Sequence, residues 1–279
     1  MRVIFTSDFH GRMALYAQLT NLLRAEKPEL LILGGDMNAE CDRANPQGSQ
    51  VAFVQKRLAS MIDAWKAMVP GLSVACIAGN HDVTPTVDAL GALERAGRVH
   101  LLDHRHAPEI GGLLWLGLAP SPPSPFWVKD LERLDFPGDN IPDFDGAVWD
   151  PAAGKMQDVT AAEHFQAQPT LVDLLREVPA LDGPWVFVCH APPHGTRLDR
   201  LPNVEAPIGS RAVRDFVETQ RPLCTLHGHV HESPQVTGEY IDRVGQTYAV
   251  NPGQDHDRLH AVVFDTADVV RTIRHTVMG

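Results

Sequence analysis

The sequence predicts an α/β fold, and two observations carry that prediction. Apolar runs of strand length alternate with amphipathic runs of helix length, and polar residues able to hold a ligand gather where the apolar runs end. RVIFTS opens the chain as a strand. MALYAQLTNLLRAEKP follows with Leu15, Leu19, Leu22 and Leu23 at helical spacing and stops before Pro28. ELLILGG is a short buried strand, and QVAFVQKRLASMIDAWKAMVP has the pattern of a second amphipathic helix closed by Pro70 and Gly71. LSVACIAG is a third strand, after which Thr84 supplies a cap and Pro85 a first helical residue for a helix reaching toward Gly97. The second half repeats the order more loosely. WVFVCH is a strand, a helix after Ser210 carries Val213, Phe216 and Val217, and LCTLHG is another strand. QTYAV and HAVVF close the chain as strands, and the NPG between them predicts a terminal hairpin.

One stretch breaks the pattern, from about Pro120 to Thr160. PSPPSPFWVKD and the acidic, proline-rich DFPGDNIPDFDGAVWDP are incompatible with a continuous helix or a central strand. The expectation is a surface excursion, or a lid over a site, since long ordered loops often carry function. No internal repeat or low-complexity tail accompanies it, and the whole of 1–279 is expected to form a single domain.

Composition narrows the class. With 279 residues, 44% of them hydrophobic, the chain can bury a substantial core and is not of disordered type. A formal net charge of −11 argues against general binding to nucleic acid or to anionic lipid, which needs a surplus of Lys and Arg. No run approaches the roughly 20 apolar residues that span a bilayer. MRVIFTSDFHG lacks the long apolar core and the cleavage site of a secretory signal, so the expectation is a soluble, cytoplasmic protein. Cys41, Cys76, Cys189 and Cys224 show no CxxC spacing and are expected as buried, reduced thiols.

The chemistry-bearing residues sit at strand ends: DFHG after RVIFTS, GGDMN after ELLIL, GNHD after LSVACIA, HAPPHGT after WVFVC and GHVH after LCTLH. Ligands of open α/β sheets bind at the carboxyl ends of strands, and five strands each deliver metal-ligand residue types there. In this order and spacing, Asp8-x-His10, Gly35-Asp36, Gly79-Asn80-His81-Asp82, His190 and Gly228-His229-x-His231 resemble the calcineurin-like metallophosphoesterases, which are binuclear-metal phosphatases and phosphodiesterases. The blocks run from residue 8 to residue 231. HAPPHGTRLD and GSRAVRDF…RPLCTLHGHVHES are also similar to the bacterial and archaeal branch related to cyclic-nucleotide phosphodiesterases.

The resemblance implies a four-layer α-β-β-α sandwich of two mixed sheets flanked by helices, with metals at one edge where the strand-end loops meet. It implies that Asp8, His10, Asp36 and His231 hold one divalent ion and that Asp36, Asn80, His190 and His229 hold the other, with Asp36 shared. Imidazole, carboxylate and amide oxygen without thiolate suit Mn, Fe or Zn, and leave positions for water and substrate. Two such ions about 3.5–4 Å apart bind phosphate and generate hydroxide at neutral pH. The implied activity is hydrolysis of a phosphodiester or phosphomonoester by a metal-bridging hydroxide, on a small nucleotide-type substrate. His81 is expected to donate a proton to the leaving group or to hydrogen-bond the phosphate. A nuclease of the same superfamily and a non-catalytic metal-binding scaffold are the alternatives.

Other positions carry weaker expectations. Asp82 either orients His81 or starts the following helix. Arg12, His194 and Arg197 are candidate phosphate contacts, the HRH triplet His104 to His106 reads as a solvated loop, and Asn251 reads as a structural turn residue. His227 precedes Gly228 and is expected to pack or to support the ligands.

Overall fold

The computed structural model describes residues 1–278. Its strands, in chain order, are β1 (Arg2–Thr6), β2 (Leu30–Gly34), β3 (Ser73–Ile77), β4 (His100–Leu101), β5 (Glu109–Ile110), β6 (Leu113–Leu118) and β7 (Gly146–Asp150). They continue as β8 (Lys155–Val159), β9 (Trp185–Cys189), β10 (Cys224–Leu226), β11 (Ile241–Val244), β12 (Thr247–Val250), β13 (Val262–Asp265) and β14 (Arg274–His275). One mixed sheet has the order β14-β13-β1-β2-β3-β4 and the other β11-β12-β10-β9-β6-β5. The first is parallel from β1 to β4 and antiparallel on the β13-β14 side, and the second is parallel from β12 to β6 and antiparallel at both edges.

The two sheets face each other across an apolar layer. Val3, Phe5, Leu30, Ile32 and Ile77 of the first meet Trp115, Val186, Val188, Leu226 and Val250 of the second. Strand alternation sends the intervening residues outward, where helices cover them. Ile4, Leu31, Leu33 and Val74 pack with Leu15, Leu19, Ile62, Trp65 and Leu90 of the helices on one side. Leu116, Leu118, Phe187 and Ala249 pack with Leu174, Val213 and Val217 of the helices on the other. Both faces of the central strands are therefore buried, which explains why LLILG and WVFVC are apolar at every position except the final glycine of the first. This is the expected α-β-β-α sandwich. All four cysteines are free and buried, and burial pushes the thiols of Cys41 and Cys224 up to about 12.

Three local expectations are corrected. The single helix expected over 50–70 is two π-helical stretches, Gln47–Val51 and Phe53–Leu58, running into an α-helix at Ala59–Met68. The widened turns accompany a fully buried Gln50, whose amide donates to the Ala39 and His81 carbonyls and accepts from Val83 N and Thr86 Oγ1. Thr84 is the first residue of its helix and not its cap, because its hydroxyl and N–H are taken by the Asp130 carboxylate. The terminal hairpin does not form: Thr247–Val250 lies in one sheet and Val262–Asp265 in the other, and the NPG segment carries the chain between them. Each strand instead pairs antiparallel with another neighbour, β12 with β11 and β13 with β14.

The excursion from Pro120 to Thr160 is ordered around a hairpin of β7 and β8 and a bridge between Val128 and Ala147. Inside it, Lys129 and Glu132 form a fully buried ion pair at 2.9 Å. A charged pair is costly to bury, so its use is to fix the loop.

Behind the NPG crossing, His260 Nδ1 and His275 Nε2 both lie against the Pro252 carbonyl, at 3.2 and 2.9 Å. His275 Nδ1 accepts from the Val277 and Met278 N–H groups, so the ring is neutral and donates from Nε2. Burial lowers its pKa from the ordinary 6.5 to about 4, and its neighbour His260 also lowers it. Between those values the unfolded chain binds the extra proton, so His275 subtracts stability as pH falls from 6.5 toward 4. Urea unfolding at pH 7 and pH 5 should show a loss of order 1–3 kcal/mol that is reduced in His275→Gln. An unchanged pH dependence in that variant would remove His275 from the account.

Candidate metal centre

The five strand-end loops converge where the carboxyl ends of the two sheets meet. β1 delivers Asp8 and His10, β2 delivers Asp36, and β3 delivers Asn80 and His81, while β9 and β10 of the facing sheet deliver His190, His229 and His231. The seam is tied across the sheets by the His229 N–H, which lies 3.1 Å from both Asp8 oxygens, and within the second sheet Gly228 N donates to the His190 carbonyl at 3.0 Å. Asp8, Asp36, Asn80 and His190 are buried, and His10, His81, His229 and His231 are partly exposed. The cluster is therefore partly open to solvent.

The side chains form two groups, and Asp8 and Asp36 lie between them. His10 Nε2 faces His231 Nε2 at 3.2 Å, and His231 Nε2 lies 3.2 Å from Asp8 Oδ1. On the other side, His190 Nε2 and His229 Nδ1 approach Asn80 Oδ1 at 3.1 and 2.9 Å. Asp36 Oδ2 stands between, 3.9 Å from His10 Nε2 and 3.3 Å from His190 Nε2. Asp8 with His10 and His231, and Asp8 with Asp36 and His190, are each close enough to hold one cation. The sequence model of the calcineurin-like phosphoesterases matches residues 1–233. The chain belongs to the calcineurin-like phosphoesterases. Two crystal structures share the fold over all of this chain and 99% of their own, one at TM-score 0.62 and 16% identity, and TT1561 of Thermus thermophilus at 0.58 and 15%. An archaeal phosphodiesterase superposes over 99% of this chain and 98% of its own at TM-score 0.44 and 12% identity, a likeness too loose to bear on function. No curated protein matches the chain.

The donor set fits the divalent cations on which these phosphoesterases depend. His190 Nδ1 lies 2.9 Å from the Gly34 carbonyl and donates to it, which leaves the Nε2 lone pair of the neutral ring aimed at Asp36 and Asn80. A lone pair facing a carboxylate needs a cation or a proton between them. Burial opposes protonation of His190, but Asp36 and Asp8 outweigh it and push its pKa up to about 9. His231 is raised in the same way, against burial, by Asp8. Burial instead lowers His10 to about 4 and His229 to about 3. Burial also works against charge on Asp8 and Asp36, yet His231 and His190 respectively hold these carboxyls below the usual carboxylate range. Among the described residues the buried Asn80 Nδ2 has no partner, so its amide is placed for its oxygen.

Four of these residues, Asp8, His10, Asp36 and His229, have positive φ, at 60°, 45°, 49° and 67°. Left-handed backbone costs roughly 1–2 kcal/mol at a non-glycine residue and concentrates at functional sites. The surrounding hydrogen bonds impose it. Asp8 N donates to Gly35 O and His10 N to Asp36 O, while the Ser7 hydroxyl donates to the Asp8 carboxylate.

The supporting residues correct and extend the sequence reading. Asp82 does not orient the His81 ring; its carboxylate accepts from Gly79 N and Asn38 Nδ2, holding the GNHD turn closed, and burial with nearby Asp36 raises its pKa to about 6. His227 is fully buried, with Nδ1 within 3.0 Å of the Cys189 and Ala191 carbonyls on either side of His190. It braces the loop that carries His190. Asn251 is structural as expected: Nδ2 lies 3.1–3.2 Å from the Leu198, Gly228 and Val230 carbonyls. Arg197 is spent on Glu239 at 2.9 Å, and His194 Nδ1 lies 3.2 Å from the Gly209 carbonyl. In the HRH triplet, His104 and Arg105 face Glu177 on an open loop. The sequence reading missed Ser7, Asn38, Gln50 and Gln254: Ser7 and Asn38 lie beside motif residues, whereas Gln50 and Gln254 are distant from the motifs in sequence and give no local signal.

Gly228 has no room for a side chain, because a Cβ there would overlap Ser7 Oγ and the Asp8 carboxylate. Gly228→Ala should lose about 1–3 kcal/mol in denaturant unfolding, the cost of overpacking a closed site. Wild-type stability in that variant would show that the contact yields freely.

Proposed function

We propose that the whole chain is one metallophosphoesterase domain that hydrolyses a small phosphoester, of nucleotide type, at a two-cation centre. Asp8, His10, Asp36 and His231 would hold one divalent ion, of Mn, Fe or Zn type, and Asp36, Asn80, His190 and His229 the other. The single observation that carries this reading is the position of Asp36 Oδ2, within 3.9 Å of an imidazole from each group. When bound, the ions neutralise phosphate charge and lower the pKa of the attacking water.

The chain's own residues do the rest. Asp36 Oδ1 accepts the His81 N–H at 2.9 Å, so the shared carboxylate also positions the proton donor. Gln50 holds the His81 carbonyl at 2.8 Å, fixing the backbone on the other side of the same residue. The His81 ring stands edge-on to His10, with centroids 5.0 Å apart, and makes no side-chain hydrogen bond among the described residues. It is free to give a proton to the leaving oxygen. Arg12, two residues after His10, makes no ion pair among the described residues and is the nearest cation in sequence for substrate phosphate. The net charge of −11 favours a small substrate over DNA or RNA.

Mn²⁺-saturated protein should cleave bis-p-nitrophenyl phosphate or p-nitrophenyl phosphate faster than single- or double-stranded oligonucleotides. Turnover of neither ester, and of no natural phosphoester, would end the phosphoesterase reading. His81→Ala should lower kcat by about 10²–10⁴ with both metals retained by elemental analysis. Asp36→Ala should lose metal as well as turnover. In Arg12→Ala, KM should rise with kcat little changed; an unaltered KM would place Arg12 outside the site.

A further inference from the structure

Phe126 is a large apolar side chain left 49% exposed, and its ring centroid lies 4.4 Å from that of His81 at an interplanar angle of 57°. The loop that presents it is not free to swing away. Lys129 Nζ, itself buried, donates to the Ser124 carbonyl at 2.6 Å, to the Phe126 carbonyl, and to Glu132 at 2.9 Å. Ser124 Oγ donates to Glu132 and accepts from Phe126 N. The peptide groups on both sides of Phe126 are thus pinned to one buried ion pair. The same loop is fastened to the His81 loop, since Asp130 accepts from Thr84 N and Oγ1, three residues beyond His81, while its other oxygen accepts from Trp149 N of β7. Ring and imidazole are therefore held in register by buried polar contacts, and about half of the Phe126 side chain stays exposed.

We propose that Phe126 is the leaving-group wall of the site and selects phosphoesters whose leaving group carries an aromatic ring system, such as an aryl alcohol or a nucleoside. This rests on the phosphoesterase reading, in which His81 serves the leaving oxygen. Whatever is bonded to that oxygen must come to lie beside His81, and Phe126 is the ring packed there. An apolar surface pre-set in this way costs no ordering when a planar group covers it, and the His81–Phe126 contact aligns the donor with the group it protonates.

The test compares an aryl and a fluoroalkyl methyl phosphodiester of matched leaving-group pKa, in wild type, Phe126→Ala and Phe126→Trp. Phe126→Ala should cut kcat/KM for the aryl ester about tenfold, the scale of one aromatic pair, and leave the fluoroalkyl ester within about twofold. Phe126→Trp should restore the aryl preference. Equal losses on both esters, or no loss on either, would overturn the proposal. Calorimetry of phenylphosphonate against methylphosphonate on the Mn²⁺-loaded protein supplies a second readout. If wild type hydrolyses neither ester, the phosphoesterase reading fails and this arm alone decides the wall: a phenyl preference lost in Phe126→Ala supports it, and equal binding overturns it.

Discussion

Two carboxylates, Asp8 and Asp36, are buried and, among the described residues, form ion pairs only with histidines, and the arrangement of the whole active edge follows from that. A buried charge without a partner is costly by several kcal/mol, so each must be answered by a neighbouring cation. The imidazoles of His10, His190 and His231 answer it only in part, since protonating all of them would place like charges in contact. The raised His190 and the lowered His10 record that compromise. Divalent charge would resolve it, because metal binding requires deprotonated ligands and so leaves a ligating imidazole neutral.

Holding such a cluster requires the backbone to do what it ordinarily avoids. Left-handed conformations at Asp8, His10, Asp36 and His229 turn the chain sharply enough for the loops to aim their side chains into one space. The strain is sustained because the loops leave stiff parallel strands whose two faces are both buried, and because the turns are clamped by buried polar residues. Asp82 closes the GNHD turn, Gln50 holds the His81 carbonyl, and His227 spans the carbonyls around His190. The π-helical segment that buries Gln50 belongs to this machinery: a regular α-helix is the local preference, and the tertiary contact overrides it.

The sheets and the converging residues are legible in the sequence because both rest on short-range signals. Strand and helix periods are local, and a ligand must sit close to a strand end to reach the seam, so DFHG, GGD, GNHD and GHVH declare themselves. The failures share a cause. NPG predicts a hairpin because a turn is a local feature, whereas the choice of sheet for Val262–Asp265 is set by pairing with β1, far away in sequence. Thr84 has the look of a cap because Asp130, which takes its hydroxyl, is 46 residues distant. Phe126 gives no signal, since its role depends on a neighbour brought to it by folding.

The NPG crossing fastens the last part of the chain to the loops of the site. From Val250 the segment passes behind the GHVH loop to reach the opposite sheet, and on the way Asn251 gathers the Gly228 and Val230 carbonyls. Gln254 then donates to the Ser7 carbonyl and accepts from His260 N, while its own backbone N–H donates to His231 O. One crossing thereby links the loop bearing His229 and His231 to the loop bearing Asp8, from behind and without supplying a ligand. A hairpin at this point would have kept both strands in one sheet and left those two loops fastened only at their tips. The departure from the local turn signal is therefore what lets two separate sheets act as one rigid support for the site.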